Sequence, residues 1–191
     1  TVSFGELQAA RPLLRRLKNE YKSYKLLIST VTETGQELAH TIPEVDVSIY
    51  LPLDLYPLCR RVVKRIQPVC VIIFETELWP NFIRAVSDHP VPLFLVNGRL
   101  SDHSFQNYFR FRFLFAPLIN RFLQILAQSE KDAQRFRSIG ALADSVQVMG
   151  NIKFDAIEVK NDPTKRDHWR SLFQIKKDEI IFKKGRRIKA R

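Results

Sequence analysis

Glu6 is the first residue of this chain whose type and position could do chemistry. It follows Gly5, where a strand-length stub gives way to a helical run. A carboxylate held there by the backbone can meet a substrate hydroxyl as a general base. The same features also describe an acid in a first helical turn, favoured by the helix dipole. Glu75 and Glu77 flank Thr76 after the most apolar run of the chain, Val-Cys-Val-Ile-Ile-Phe. Alternate residues of an extended segment share a face, so both carboxylates are expected on one side. There they can hold a sugar hydroxyl, orient a basic residue or stand solvated. Asn97, Arg99, Ser101 and Ser104 form a polar loop that, with Lys153, suits a clamp for phosphate or carboxylate. A capped helix with a surface arginine fits the same residues.

Positioning these side chains falls to alternating elements. Apolar runs of strand length at 25–30, 45–50, 69–74, 93–96, 125–127 and 146–149 alternate with segments of helical period. The helical segments are 7–21, 35–40, 55–67, 79–87, 104–121 and 130–139. Such alternation predicts an α/β fold in which helices cover a parallel sheet, and the stub before Gly5 reads as the end of a first strand. Thr30 to Glu33 has the spacing of a capping box, and Ser129 with Asp132 that of its shorter variant. On this scheme the polar motifs at 3–6, 30–34, 75–77, 97–99, 129–130 and 150–153 all fall at carboxyl ends of strands. That is the edge where open parallel sheets bind ligands.

Composition narrows the function class. The 191 residues are 45% hydrophobic, enough for a sizeable core. The net charge is +11, and residues 176–191 hold eight Lys/Arg against Asp178 and Glu179, so more than half of the excess lies in a short tail. That distribution weakens the case for nucleic acid as the partner. No run of about 18 apolar residues spans a membrane. Cys59, in a predicted helix, and Cys70, in a predicted buried strand, read as free thiols. His40, His89, His103 and His168 are scattered, so no metal site is assigned. Phe105, Tyr108, Phe109, Phe111, Phe113 and Phe115, interleaved with Arg110, Arg112 and Arg121, suit either core packing of a long helix or a lipid-facing surface.

Seven motifs then appear in order. They are Ser-Phe-Gly-Glu at 3–6, Thr-Val-Thr-Glu-Thr-Gly-Gln-Glu-Leu at 30–38, Leu-Pro-Leu-Asp at 51–54 and Glu-Thr-Glu-Leu-Trp-Pro-Asn at 75–81. Val-Asn-Gly-Arg-Leu-Ser at 96–101, Ala-Gln-Ser-Glu-Lys-Asp-Ala-Gln-Arg-Phe at 127–136 and Gly-Asn-Ile-Lys-Phe-Asp at 150–155 complete the series. Together they resemble the transferases of 3-deoxy-D-manno-octulosonic acid (Kdo). The resemblance implies the amino-terminal, Rossmann-like half of a GT-B glycosyltransferase, inverting, with Glu6 as the general base. It implies an acceptor site drawn from Ser3, Gly5, Thr32, Thr34, Glu75, Glu77, Asn97, Arg99 and Lys153. No cofactor is implied. The donor is CMP-Kdo, the acceptor is the lipid A precursor, and the place of work is the cytoplasmic side of the bacterial inner membrane.

The expected organisation is an acceptor domain over 1–155 with its first strand truncated, a linker and the start of a donor domain over 156–182, and a basic tail outside the family pattern over 183–191. In the linker region a helix is expected at 167–173 and an apolar strand start at 179–182. The sequence opens inside a motif, which implies a strand, and leaves room for an anchor, upstream. With the donor half missing after Phe182, the chain alone is expected to be inactive. Two other classes fit less of the pattern: a non-catalytic module for anionic lipid, and a basic nucleic-acid-binding protein.

Overall fold

A computed structural model describes residues 4–152, 181–184 and 187–190 of the chain. The chain divides into two compact units, Thr1–Ala156 and Ile157–Arg191.

In the first unit, strands and helices alternate in the order α1 (Phe4–Glu20), β1 (Leu27–Thr30), α2 (Glu33–Thr41), β2 (Val47–Tyr50), α3 (Tyr56–Ile66), β3 (Val71–Phe74) and α4 (Pro80–Ser87). There follow β4 (Leu93–Gly98), α5 (Asp102–Arg110), α6 (Arg112–Ile119), β5 (Gln124–Ala127), α7 (Glu130–Ile139) and β6 (Val146–Val148). Every strand pairing is parallel: β1 with β2 in one pair, and β3-β4-β5-β6 in a four-stranded sheet. All six strands therefore deliver their carboxyl ends to loops of the kind the motifs occupy. In the second unit β7 (Ile181–Lys184) and β8 (Arg187–Ala190) pair antiparallel. The helix expected at 167–173 lies outside the described residues.

Two cores hold the first unit. The larger packs the four-stranded sheet through Ile73, Leu93, Leu95, Ile125 and Val146 against Val63, Ile83, Val86, Ile119 and Phe136. The smaller joins α1 (Leu7, Leu14), β1 (Ile28) and α2 (Ala39, Ile42) to Phe74 at the end of β3, with Val96 and Ile152 against it.

Several expectations are corrected. The helix expected over 104–121 is two helices, broken at Phe111, whose φ of −104° and ψ of 30° leave the helical region. An unbroken helix would put Arg112 on the same face as Phe105, Tyr108 and Phe115, which pack against the core. The break turns Arg112 out to lie over the Phe109 ring at 5.1 Å. The cap of α2 is Thr32, which accepts from Gly35 N–H at 3.1 Å. Thr30 cannot serve, because β1 runs through it and its buried hydroxyl donates to Gln36 Oε1 at 2.9 Å. Ser129 caps α7 as expected. Helix α1 starts at Phe4, so the end of the expected first strand is helical there and the rest lies outside the described residues. Cys70 is exposed just ahead of β3 rather than buried within it, and both thiols are free.

Two glycines are required by packing. A Cβ at Gly98 would approach the Phe136 ring to 3.1 Å, so β4 and α7 meet this closely only without a side chain. Gly140 has φ +124° and a Cβ there would lie 2.6 Å from Ala116 Cβ. Gly140→Ala therefore incurs both backbone strain and a clash, on the order of 2 kcal/mol or more. We expect the melting temperature to fall by roughly 4 to 8 °C in a calorimetric scan; an unchanged value would mean that α6 yields without cost.

Candidate functional site

The edge is built from clasped loops. Asp54, at the end of the loop leaving β2, accepts from Phe82 N–H at 2.8 Å and Asn81 N–H at 3.3 Å, while its carbonyl accepts from Asn81 Nδ2 at 2.7 Å. The first turn of α4, which opens on Pro80 without a capping side chain of its own, is thus capped from another segment. Thr76 in turn ties the loop after β3 to the loop after β4. Its hydroxyl donates to the Arg99 carbonyl and accepts from Arg99 N–H at 3.0 Å. The next clasp joins β4 to α7: Asp132 accepts from Leu100 N–H at 2.9 Å, and Arg135 donates to the Leu100 carbonyl and to Asp102. Arg135, then Lys131, hold the Asp102 carboxyl below the usual carboxylate range.

Asn97 sits where these loops converge. It is 2% exposed, adopts φ +60°, accepts from Gln128 Nε2 through its carbonyl at 3.1 Å and from Ile152 N–H through Oδ1 at 3.3 Å. Glu75 also has φ +60°, and its N–H donates to the Val96 carbonyl at 2.9 Å. Asn tolerates this region, whereas a glutamate held there costs about 1 to 2 kcal/mol. Strain of this sort collects at functional sites. It also overturns the expected alternation of Glu75 and Glu77, because the extended backbone ends at Phe74.

The two carboxylates nevertheless come together, and Glu6 joins them. Glu6 lies half-buried in the first turn of α1, as the local reading of an acid at a helix start had it, and Glu75 and Glu77 are half-buried too. Burial pushes the Glu77 carboxyl above its ordinary value, and the charges of Glu6 and Glu75 push it the same way. Tyr108 of α5 borders the cluster: burial raises its phenol, and Glu77 adds to the rise.

The remaining predicted site residues divide by place. Arg99 is exposed on the loop after β4, bound through its backbone to Thr76, which leaves its guanidinium to the surface. Thr32 caps α2 and receives the Thr34 hydroxyl at 3.5 Å, so both lie at the edge of the β1-β2 pair. Gly5 is exposed, with nothing within 4 Å of where a Cβ would stand. Ser3 and Lys153 lie outside the described residues. Asp54, Thr76, Asp132, Arg135 and Tyr108 are missing from the expected site. The first four stood inside the quoted motifs, but only the fold reveals their partners.

The Rossmann-like α/β domain is one half of the GT-B architecture. The fold likeness is to UDP-GlcNAc 2-epimerase from Neisseria meningitidis, with a TM-score of 0.61 and 16% identity, over 93% of this chain and 54% of that one. Residues 1–156 match the family described as 3-deoxy-D-manno-octulosonic-acid transferase (kdotransferase). The chain belongs to that family. It is 33% identical over 193 residues to the 3-deoxy-D-manno-octulosonic acid transferase of Chlamydia trachomatis serovar D, covering 96% of this chain and 43% of that protein. It is 31% identical over 203 residues to the enzyme of the same name from Haemophilus influenzae, covering 100% and 48%. The chain thus spans less than half the length of these relatives.

The raised Glu77 carboxyl has a consequence for stability. A carboxyl whose pKa is raised by folding favours the folded state fully below its unfolded pKa, about 4.3 for glutamate, and loses that contribution as pH rises through the folded value. Glu77→Gln stays neutral throughout. It is expected to melt higher than the parent at neutral pH, with the difference closing below about pH 4. A melting series across pH checks this; a constant difference at all pH values would mean that packing, not charge, sets it.

Proposed function

We propose that this chain is the acceptor-binding half of a glycosyltransferase that moves Kdo from CMP-Kdo to the lipid A precursor lipid IVA, with inversion at the anomeric carbon. Family membership over residues 1–156 carries the reading. The half-buried Glu6 beside Glu77, at the edge where the loops converge, supports it. In this mechanism Glu6 takes the proton of an acceptor hydroxyl as that oxygen attacks the anomeric carbon, and CMP leaves with the electrons of the broken bond.

Arg99 and Lys153 suit the acceptor's phosphates, and Asn97 with the threonines at 32 and 34 suits its hydroxyls. Phe109, Phe111, Phe113 and Leu114 are exposed across the α5–α6 break and suit acyl chains. The place of action is then the cytoplasmic face of the inner membrane. Transfer also needs a donor-binding half, because orienting two substrates is worth roughly 7 to 11 kcal/mol.

Two substitutions test this in a protein carrying both halves. Glu6→Gln keeps the shape and removes the base, so kcat is expected to fall by about 100-fold or more while acceptor binding persists. Near-normal turnover would remove Glu6 from the mechanism, and loss of binding alone would favour a non-catalytic lipid module. Arg99→Ala is expected to weaken a bisphosphorylated acceptor by about tenfold or more, and its dephosphorylated analogue far less. Equal losses in a binding titration would make Arg99 structural.

A further inference from the structure

Two tyrosines pack their rings on the larger core, Tyr56 of α3 and Tyr108 of α5, and they differ in what becomes of the hydroxyl. Tyr56 donates to Asp88 Oδ2 at 2.6 Å. Tyr108 is half-buried, yet its hydroxyl has no hydrogen-bond partner among the described residues. Tyr21, Tyr24 and Tyr50 pose no such question, because each is at least half exposed and reaches water. A tyrosine hydroxyl drawn into a core ordinarily finds a partner.

The ring is held in place. It lies 4.5 Å from the Phe115 ring at an angle of 59°, and α5 itself is fixed upstream. Ser101 accepts from Ser104 N–H at 3.0 Å to cap the helix, and Arg135 of α7 lies over the Phe105 ring at 5.2 Å. Leu78, the residue after Glu77, packs against the same core as Tyr108. The phenol therefore stands at the acidic cluster. Burial holds its proton on, and the Glu77 charge adds to the effect, so the group is a donor and not a base.

The cluster lacks such a donor. Ionised, Glu6, Glu75 and Glu77 can only accept hydrogen bonds. A ligand hydroxyl that gives its hydrogen to one of them still carries lone pairs to satisfy, while a phosphate entering there meets like charge. An uncharged donor beside the carboxylates suits a sugar hydroxyl.

We propose that the Tyr108 hydroxyl donates to a sugar oxygen of the bound acceptor, beside Glu77, and is one of the residues that bind substrate for the transfer. The proposal deepens the transfer reading and rests on it. Its ligand is the neutral part of the acceptor, whereas Arg99 suits the phosphates.

The test is calorimetric titration of lipid IVA into a protein carrying both halves, parent and Tyr108→Phe, with a melting scan of each. Phe keeps the ring against Phe115 and removes only the hydroxyl. Acceptor affinity is expected to fall by about tenfold, as for one lost hydrogen bond, with KM for the acceptor rising alongside and kcat changing far less. The variant should melt no lower than the parent, because a hydroxyl without a partner in the fold gives up no bond. The loss should also be the same for the bisphosphorylated acceptor and its dephosphorylated analogue. A loss confined to the phosphorylated ligand would put the contact on a phosphate, and a lower melting temperature would make the loss structural; either overturns the proposal. Unaltered affinity in Tyr108→Phe would refute the contact alone, whereas a parent that binds no lipid IVA would refute the transfer reading and the contact with it.

Discussion

Asn97 leaves β4 with a left-handed backbone and a buried side chain, and the carboxyl edge is organised around that residue. Its carbonyl and side-chain oxygen accept from Gln128, beyond β5, and from Ile152, beyond β6, while the preceding carbonyl of Val96 receives Glu75 N–H from β3. The ends of all four strands of this sheet are thereby fixed to one another. A parallel sheet needs such an arrangement, since each strand ends in a loop whose backbone groups find no partner in the ladder. Buried, a single unpaired group costs about 1 to 3 kcal/mol. Thr76, Asp54 and Asp132 meet the same demand in the flanking loops.

Rigid loops allow the edge to hold carboxylates close together. Burial raises the Glu77 carboxyl there, and the charges of Glu6 and Glu75 add to the rise. The left-handed Glu75 adds backbone strain at the same place. Neither feature contributes to folding, and both are tolerated because the clasps and the two cores stabilise the surroundings. Both features lie at the carboxyl edge of the strands, in a chain belonging to the Kdo transferase family.

Aromatic residues show how packing chooses among readings that composition leaves level. Phe105, Tyr108 and Phe115 serve the core, while Phe109, Phe111 and Phe113 stay exposed. The division follows from the break at Phe111, which keeps Arg112 out of the apolar face. Core packing and an exposed aromatic surface are therefore served by different members of one stretch.

Order and type of elements were legible in the sequence, because strand-length apolar runs and helical periods are local properties of the chain. So was the location of the motifs, since parallel strands put every carboxyl end on the same side. Glu75, Glu77 and Arg99 follow β3 and β4 as that argument expects, whereas Glu6 stands in the first turn of α1. What Asp54, Thr76 and Asp132 do was not legible: their partners lie 27, 23 and 32 residues away, and no local pattern encodes which loop will arrive opposite. The helical start at Phe4, the left-handed turn at Glu75 and the exposed Cys70 likewise depended on tertiary packing, which overrides local preference where a strand end must turn toward its neighbour. The sequence by itself determined the order of strands and helices and the motifs that follow the strands; the tertiary structure decided which of those residues hold loops together and which face one another as charges, because both depend on distances between segments remote in the chain.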